Sequence, residues 1–156
     1  MRKKLSLLCL MIALLAVFQT HATAVTITNG DFSGAVTSNI PNGWTFSVSA
    51  GTGGTNYKIS TAAKGNPTLI AGSQNHYQIY QTAARTTKFS QTLTGLTAGN
   101  YTISVKAVMT TYTGTISVYG NASKTTIGSG TQGTYSVTTS VAQGGSLEFG
   151  IDIAST

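Results

Sequence analysis

Three carboxylates (Asp31, Glu148 and Asp152) and two histidines (His21 and His76) are the only such groups in the 156 residues of this chain, so the chemistry open to it is narrow. A glycosidic bond is cut by two carboxyl groups about 5–5.5 Å apart in retaining enzymes, or about 6.5–9.5 Å apart in inverting ones. Glu148 and Asp152 share one face of one strand, but four residues of extended chain hold them roughly 13 Å apart, and Asp31 would have to come in from elsewhere. A Ser-His-acid triad has only His76 to draw on, with no G-x-S-x-G elbow to present the serine. Gly51-Thr52-Gly53-Gly54 is not a phosphate loop, because no helical pattern follows it. The expectation is that the chain is not an enzyme.

Binding is better provided for. Aromatic rings on the polar side of a strand, beside amides, hydroxyls and charged groups, are what the hydroxyls and apolar C–H faces of a glycan need. Tyr80 shares a strand face with His76 and Gln78, and Tyr119 shares one with Thr115 and Ser117. Tyr112 stands in the loop before Gly114, and Tyr57 is a weaker fourth. With Arg85 or Lys106 nearby, a concave polar sheet face carrying such residues would form a glycan groove. The competing reading makes each an ordinary surface or sheet-edge tyrosine, since aromatics pack well on pleated surfaces. Trp44, Phe46, Tyr77, Tyr101, Tyr135 and Phe149 fall on the apolar side of their strands and are expected in the core.

The first 24 residues do not belong to the domain. Arg2-Lys3-Lys4 is a basic n-region, Leu5 to Phe18 an apolar h-region, and Ala22-Thr23-Ala24 an A-x-A cleavage site, with cleavage after Ala22 as the alternative. The apolar run is shorter than the roughly 20 residues of a membrane span, and Leu8 before Cys9 does not suit a lipoprotein signal. Residues 1–24 therefore read as a secretory signal peptide, sending residues 25–156 outside the cell with no membrane span. Cleavage removes the single Cys9, so a disulfide is excluded and a zinc site loses its support. It also removes three of the nine basic residues, and the net charge falls from +6 to +3, which takes away the case for nucleic acid.

About 132 residues remain, rich in Thr, Ser and Gly, which is enough for one domain with a core. Apolar residues recur at period two: Val25–Thr28, Trp44 to Val48, Tyr57–Ile59, Thr68–Ala71, His76–Gln81, Phe89 to Leu93, Tyr101 to Ala107, Ile116 and Val118, Tyr135 to Val141, and Leu147 to Ile151. Gly/Asn turns such as Lys64-Gly65-Asn66-Pro67 separate them, and nowhere do apolar residues fall at i, i+3, i+4, i+7. The spacing predicts nine or ten strands and no helix: an all-β, antiparallel two-sheet sandwich.

Three blocks carry a family resemblance. Asn29-Gly30-Asp31-Phe32-Ser33 followed by Pro41-Asn42-Gly43-Trp44 resembles the opening of carbohydrate-binding modules with a galactose-binding-like jelly roll, the group attached to many secreted xylanases, cellulases and galactanases. Phe89 to Ser104 is similar to that family's central hairpin: a strand with Gln91-Thr92-Leu93, a Leu96-x-x-Gly99 turn, then Tyr101-Thr102-Ile103-Ser104. Gly144 to Ile151 is similar to its penultimate strand. The resemblance implies a monomeric jelly roll that holds a polysaccharide without breaking it. Its candidate binding residues here are Tyr80, Tyr119, Tyr112, His76, Gln78 and Arg85. The family closes with one more strand that this sequence lacks, so either the chain is part of a longer protein or the sheet closes without that strand. An acid in that strand serves the family's structural calcium, so no cofactor is expected, and Asp31 is the one local candidate for a metal ligand. Two other readings stand beside this one: a structural or adhesive spacer, and an accessory domain of a glycoside hydrolase whose catalytic part lies beyond Thr156.

Overall fold

The computed structural model describes residues 25–52, 54–59, 75–80, 83–109, 114–128, 130 and 132–155. The expected signal peptide, the expected Lys64–Pro67 turn and Thr68–Ala71 strand, and Tyr112 lie outside them. The strands in chain order are β1 (Val36–Thr37), β2 (Ile40–Pro41), β3 (Thr45–Gly51), β4 (Thr55–Ile59), β5 (His76–Tyr80), β6 (Arg85–Leu96), β7 (Gly99–Ala107), β8 (Gly114–Gly120), β9 (Ser123–Thr126), β10 (Gly133–Val141) and β11 (Gly145–Ser155). Every ladder is antiparallel, and no helix occurs among the described residues.

The main sheet has five strands in the order β3-β6-β11-β8-β9; β7 with β10, β4 with β5, and β1 with β2 form pairs. Alternation decides which face of the main sheet turns inward. Leu147 and Phe149 of β11 lie level with Leu93 and Gln91 of β6, and Leu96, Leu147 and Phe149 are buried. Tyr101 and Ile103 of β7 and Val141 of β10 meet them from the other side. Two layers thus share one core, and the domain is the expected all-β antiparallel sandwich.

Two expectations need correction. Phe89 to Ser104 is not a hairpin: β6 ladders with β3 and β11, whereas β7 ladders with β10, so the Thr97-Ala98 connection carries the chain from one layer to the other. The cause is the core itself, since Leu96 and Tyr101 approach one apolar cluster from opposite layers. Val25–Thr28 is not a strand, although it alternates. Its backbone is bound by a side chain instead. The Gln91 carboxamide accepts the Thr28 N–H at 3.0 Å and donates to the Thr28 carbonyl at 3.0 Å and the Gly43 carbonyl at 2.9 Å. Gln91 is buried, and three such bonds at roughly 1 kcal/mol each are partly offset by rehydration of the freed backbone. Gln91→Leu is therefore expected to cost about 2 kcal/mol, seen as a lower urea midpoint with an unchanged m-value.

The opening Asn29–Trp44 stretch closes over the same spot. Trp44 Nε1–H donates to the Thr28 and Asn29 carbonyls at 3.0 and 3.3 Å. Its ring stacks on Phe89 with centroids 4.5 Å apart and planes at 9°. Tyr77 of β5 also stacks on Phe89, at 4.0 Å and 12°, and Phe32 leans in at 5.9 Å. Those stacks fasten the β4–β5 pair and the opening turn to the inner face of β6. Trp44, Tyr77 and Phe149 are core residues, as the alternation indicated.

Candidate functional site

The outer face of the five-stranded sheet is built by the residues that alternate with the core. Three rows cross it. Ser47, Lys88, Asp152, Ser117 and Thr126 make one, and Thr45, Ser90, Gly150, Tyr119 and Lys124 make the next. Glu148 beside Thr92 starts a third. Gly150 leaves the middle of this face without a side chain, flanked by Ser90 and Tyr119.

Tyr119 lies on the polar side expected of it, but it is not exposed. Its relative accessibility is 1%, which corrects its reading as a ring open to a ligand. The Lys88 ammonium sits 4.9 Å from its ring centroid, and its O–H donates to Glu148 Oε1 at 2.6 Å. Lys88 Nζ is also 3.5 Å from the same Glu148 oxygen, with both side chains about two-fifths exposed. Lys124 pairs with Asp152 across β8, and the Asp152 carboxylate is almost fully buried. Asn121, in the β8–β9 turn with φ of 50°, fixes the start of this array. Its backbone N–H donates to the Glu148 carbonyl at 2.8 Å, and its Oδ1 accepts the Glu148 N–H at 3.0 Å.

Burial pushes the Tyr119 phenol well above the usual tyrosine range, and the hydrogen bond to Glu148 adds to the shift. The raised value fixes the sign of a pH effect. An unfolded Tyr119 ionises near its ordinary 10.0 while the folded one stays protonated, so its contribution to stability is complete below that pH and is lost as the pH rises above it. Urea unfolding of Tyr119→Phe is expected to show a flatter alkaline decline than the unaltered chain.

The second group predicted from sequence sits on β5. His76 and Gln78 alternate with Tyr77, whose ring is committed to Phe89, so they occupy the opposite side of the strand. Both are half-buried. His76 Nδ1 and Gln78 Oε1 are shielded from solvent and meet no hydrogen-bond partner among the described residues. Burial lowers the His76 pKa, which favours the neutral ring. Tyr80 closes β5, where its backbone alone is described. Arg85, at the start of β6, lies with its guanidinium 5.3 Å from the Phe46 ring centroid. Residues 81 and 82 lie outside the described residues between these two positions, and Arg85 is not shown to join His76 and Gln78.

Asp31 shapes a turn. Its Oδ1 accepts the Ser33 N–H at 3.0 Å and the Ser33 hydroxyl at 2.8 Å. Calcium requires six to eight oxygens, and the Thr28 and Asn29 carbonyls beside Asp31 already receive Trp44 and Gln91 N–H groups. Among the described residues no three His, Cys, Asp or Glu side chains gather at one place, and no helix is long and apolar enough to cross a membrane.

Lys88, Glu148, Lys124 and Asp152 were missed as a group by sequence reasoning. They are spread over positions 88 to 152 and three strands, and the ladder register brings them onto one face. The available signal was their scarcity in a chain with 8% charged residues. No protein-family model, curated protein or solved structure matches this chain.

Proposed function

We propose that this chain is a non-catalytic carbohydrate-binding module of a secreted or cell-surface protein, acting as a monomer that holds its carrier on a polysaccharide. One observation carries the reading: the partly exposed side chains of Lys88 and Glu148 share a single sheet face with the exposed Ser47. A partly exposed carboxylate that accepts, an ammonium that donates and the exposed Ser47 hydroxyl, which does both, match the alternating donors and acceptors of sugar hydroxyls, while Ser90 and Ser117 are buried. With Tyr119 covered, recognition runs through hydrogen bonds to Glu148 and Lys88 more than through stacking. His76, Gln78, Tyr80 and Tyr112 remain candidates for a second contact. The same role serves a glycoside hydrolase if its catalytic part lies beyond Thr156.

Affinity electrophoresis on xylan, galactan and β-glucan tests this. Retardation on at least one gel is expected, and Glu148→Gln or Lys88→Ala should weaken it about tenfold, as loss of a charged hydrogen bond does. Unretarded migration on all three would instead support the structural or adhesive spacer. A specific feature favours that alternative. On the outward face of β7 and β10, Thr102 and Thr138 hydroxyls bond each other at 2.8 Å and Ser104 and Ser136 at 2.7 Å, while Ser140 donates to Asn100 at 2.6 Å. Hydroxyls engaged with each other suit packing against a neighbouring domain better than capture of a sugar.

A further inference from the structure

Lys124 and Asp152 are placed for more than an ion pair. Lys124 stands on β9 at the sheet edge and Asp152 on β11 at its centre, with β8 between them. Lys124 is the ladder partner of Tyr119, and Asp152 that of Ser117, two residues back along the same strand. The lysine stem therefore reaches diagonally over β8, and Nζ touches Asp152 Oδ2. The carboxylate it meets is walled off: Asp152 is 8% exposed, flanked in its ladder row by Lys88 of β6 and Ser117 of β8. The other nearby lysine is engaged elsewhere, since Lys88 lies over the Tyr119 ring and beside Glu148.

We propose that Lys124 and Asp152 condense into an intramolecular isopeptide bond that staples the edge strand β9 to the central strand β11. The step balances within the pair. A proton passes from the Lys124 ammonium to the Asp152 carboxylate, leaving an amine and a carboxylic acid. Nζ attacks Cγ, the Nζ–Cγ bond forms, the Cγ–O bond breaks, and the hydroxyl leaves with a second amine proton as one water. One positive and one negative charge disappear, and no oxidant, reductant or cofactor takes part.

Three features favour condensation here. Contact of Nζ with Asp152 Oδ2 holds the nucleophile beside the carboxyl group, and such placement lowers the entropic barrier that makes amide formation slow in solution, where well-oriented pairs reach effective molarities of about 10⁵–10⁸ M. The amide removes a charge from a site where the Asp152 carboxylate is buried. The mature domain also holds no cysteine, so a chain read as bound for the outside of the cell has no disulfide to brace it. An amide between side chains needs no oxidising compartment. The inference does not depend on sugar binding, which is proposed to run through Lys88 and Glu148.

Tryptic mapping of the secreted chain decides the matter independently of where the leader is cut. The expected result is an uncleaved Lys124–Thr125 bond and a single peptide spanning residues 107–156, looped at a Lys124–Asp152 branch point and one water lighter than its linear form. Lys124→Arg and Asp152→Ala should each abolish the branch and Lys88→Arg should leave it, with folding of each checked by circular dichroism. Ordinary cleavage after Lys124 in the unaltered chain, or a branch to Lys88, overturns the proposal. Both readings come from the unaltered chain, so an unstable variant does not obscure them.

Discussion

Gly150→Ala is expected to destabilise the domain by about 4 kcal/mol, a cost built from backbone strain and from overpacking of a closed ladder. Gly150 has φ of 153°, and a Cβ there would sit 2.0 Å from the Phe89 carbonyl oxygen and 2.9 Å from Ser90 Cα. Both are backbone atoms of the neighbouring strand, so no rotamer change relieves the contact. β6 and β11 would have to part in the middle of the five-stranded sheet. Against a typical domain stability of about 5–15 kcal/mol that is a large share, and a fall in melting temperature of roughly 10–20 °C follows. Gly95→Ala is the control. Its φ of 68° is also left-handed, but a Cβ there meets nothing within 4 Å, so only the strain, about 1 kcal/mol, remains. Equal losses from the two alanines in thermal denaturation would show that the ladder gives way and that the Gly150 contact matters little.

Phe89→Ala is expected to cost about 4–5 kcal/mol, at the upper end for removal of a buried phenylalanine. The ring is 3% exposed and lies between Trp44 and Tyr77, each stacked nearly parallel on it. Removing it leaves a cavity and also severs the contact that joins three separate pieces of chain: the opening turn, β5 and β6. Aromatic pairing of this kind adds about 0.5–1.5 kcal/mol per pair beyond area burial. Trp44 is the sole tryptophan, so its fluorescence reports the change directly. Phe89→Leu fills most of the space without a stack and should lose about half as much. If Phe89→Ala unfolds at the same urea concentration as the unaltered chain, the three-ring stack does not carry the opening turn.

Alternation along single strands was readable from the residues alone, and it ordered the inner face correctly. Tyr101, Ile103, Leu147 and Phe149 turn inward because each follows its neighbour by two, whatever lies across from it. What alternation could not show is the height of the layer above a face. Tyr119 alternates as a polar-side residue and is one, yet Lys88 and Glu148 from two other strands cover it. β9 escaped notice because Ser123-Lys124-Thr125-Thr126 offers no apolar residue to alternate. Val25–Thr28 was over-read for the opposite reason: it alternates, but the partner supplied is the Gln91 side chain rather than a strand. The crossing between β6 and β7 was hidden too, since a tight Gly-containing turn looks the same whether the chain doubles back in one sheet or changes layer.

The place of β11 between β6 and β8 has a kinetic consequence. β6 and β8 share no ladder with each other; both bond to β11, the last of the described strands to be synthesised. A chain emerging from the ribosome cannot close its main sheet from β3, β6, β8 and β9 alone, and its pairings are long-range ones that form slowly. The nascent polypeptide therefore stays threadable until its final stretch appears. Until β11 pairs, the main sheet stays open and the chain keeps the extended form that passage through a narrow pore requires.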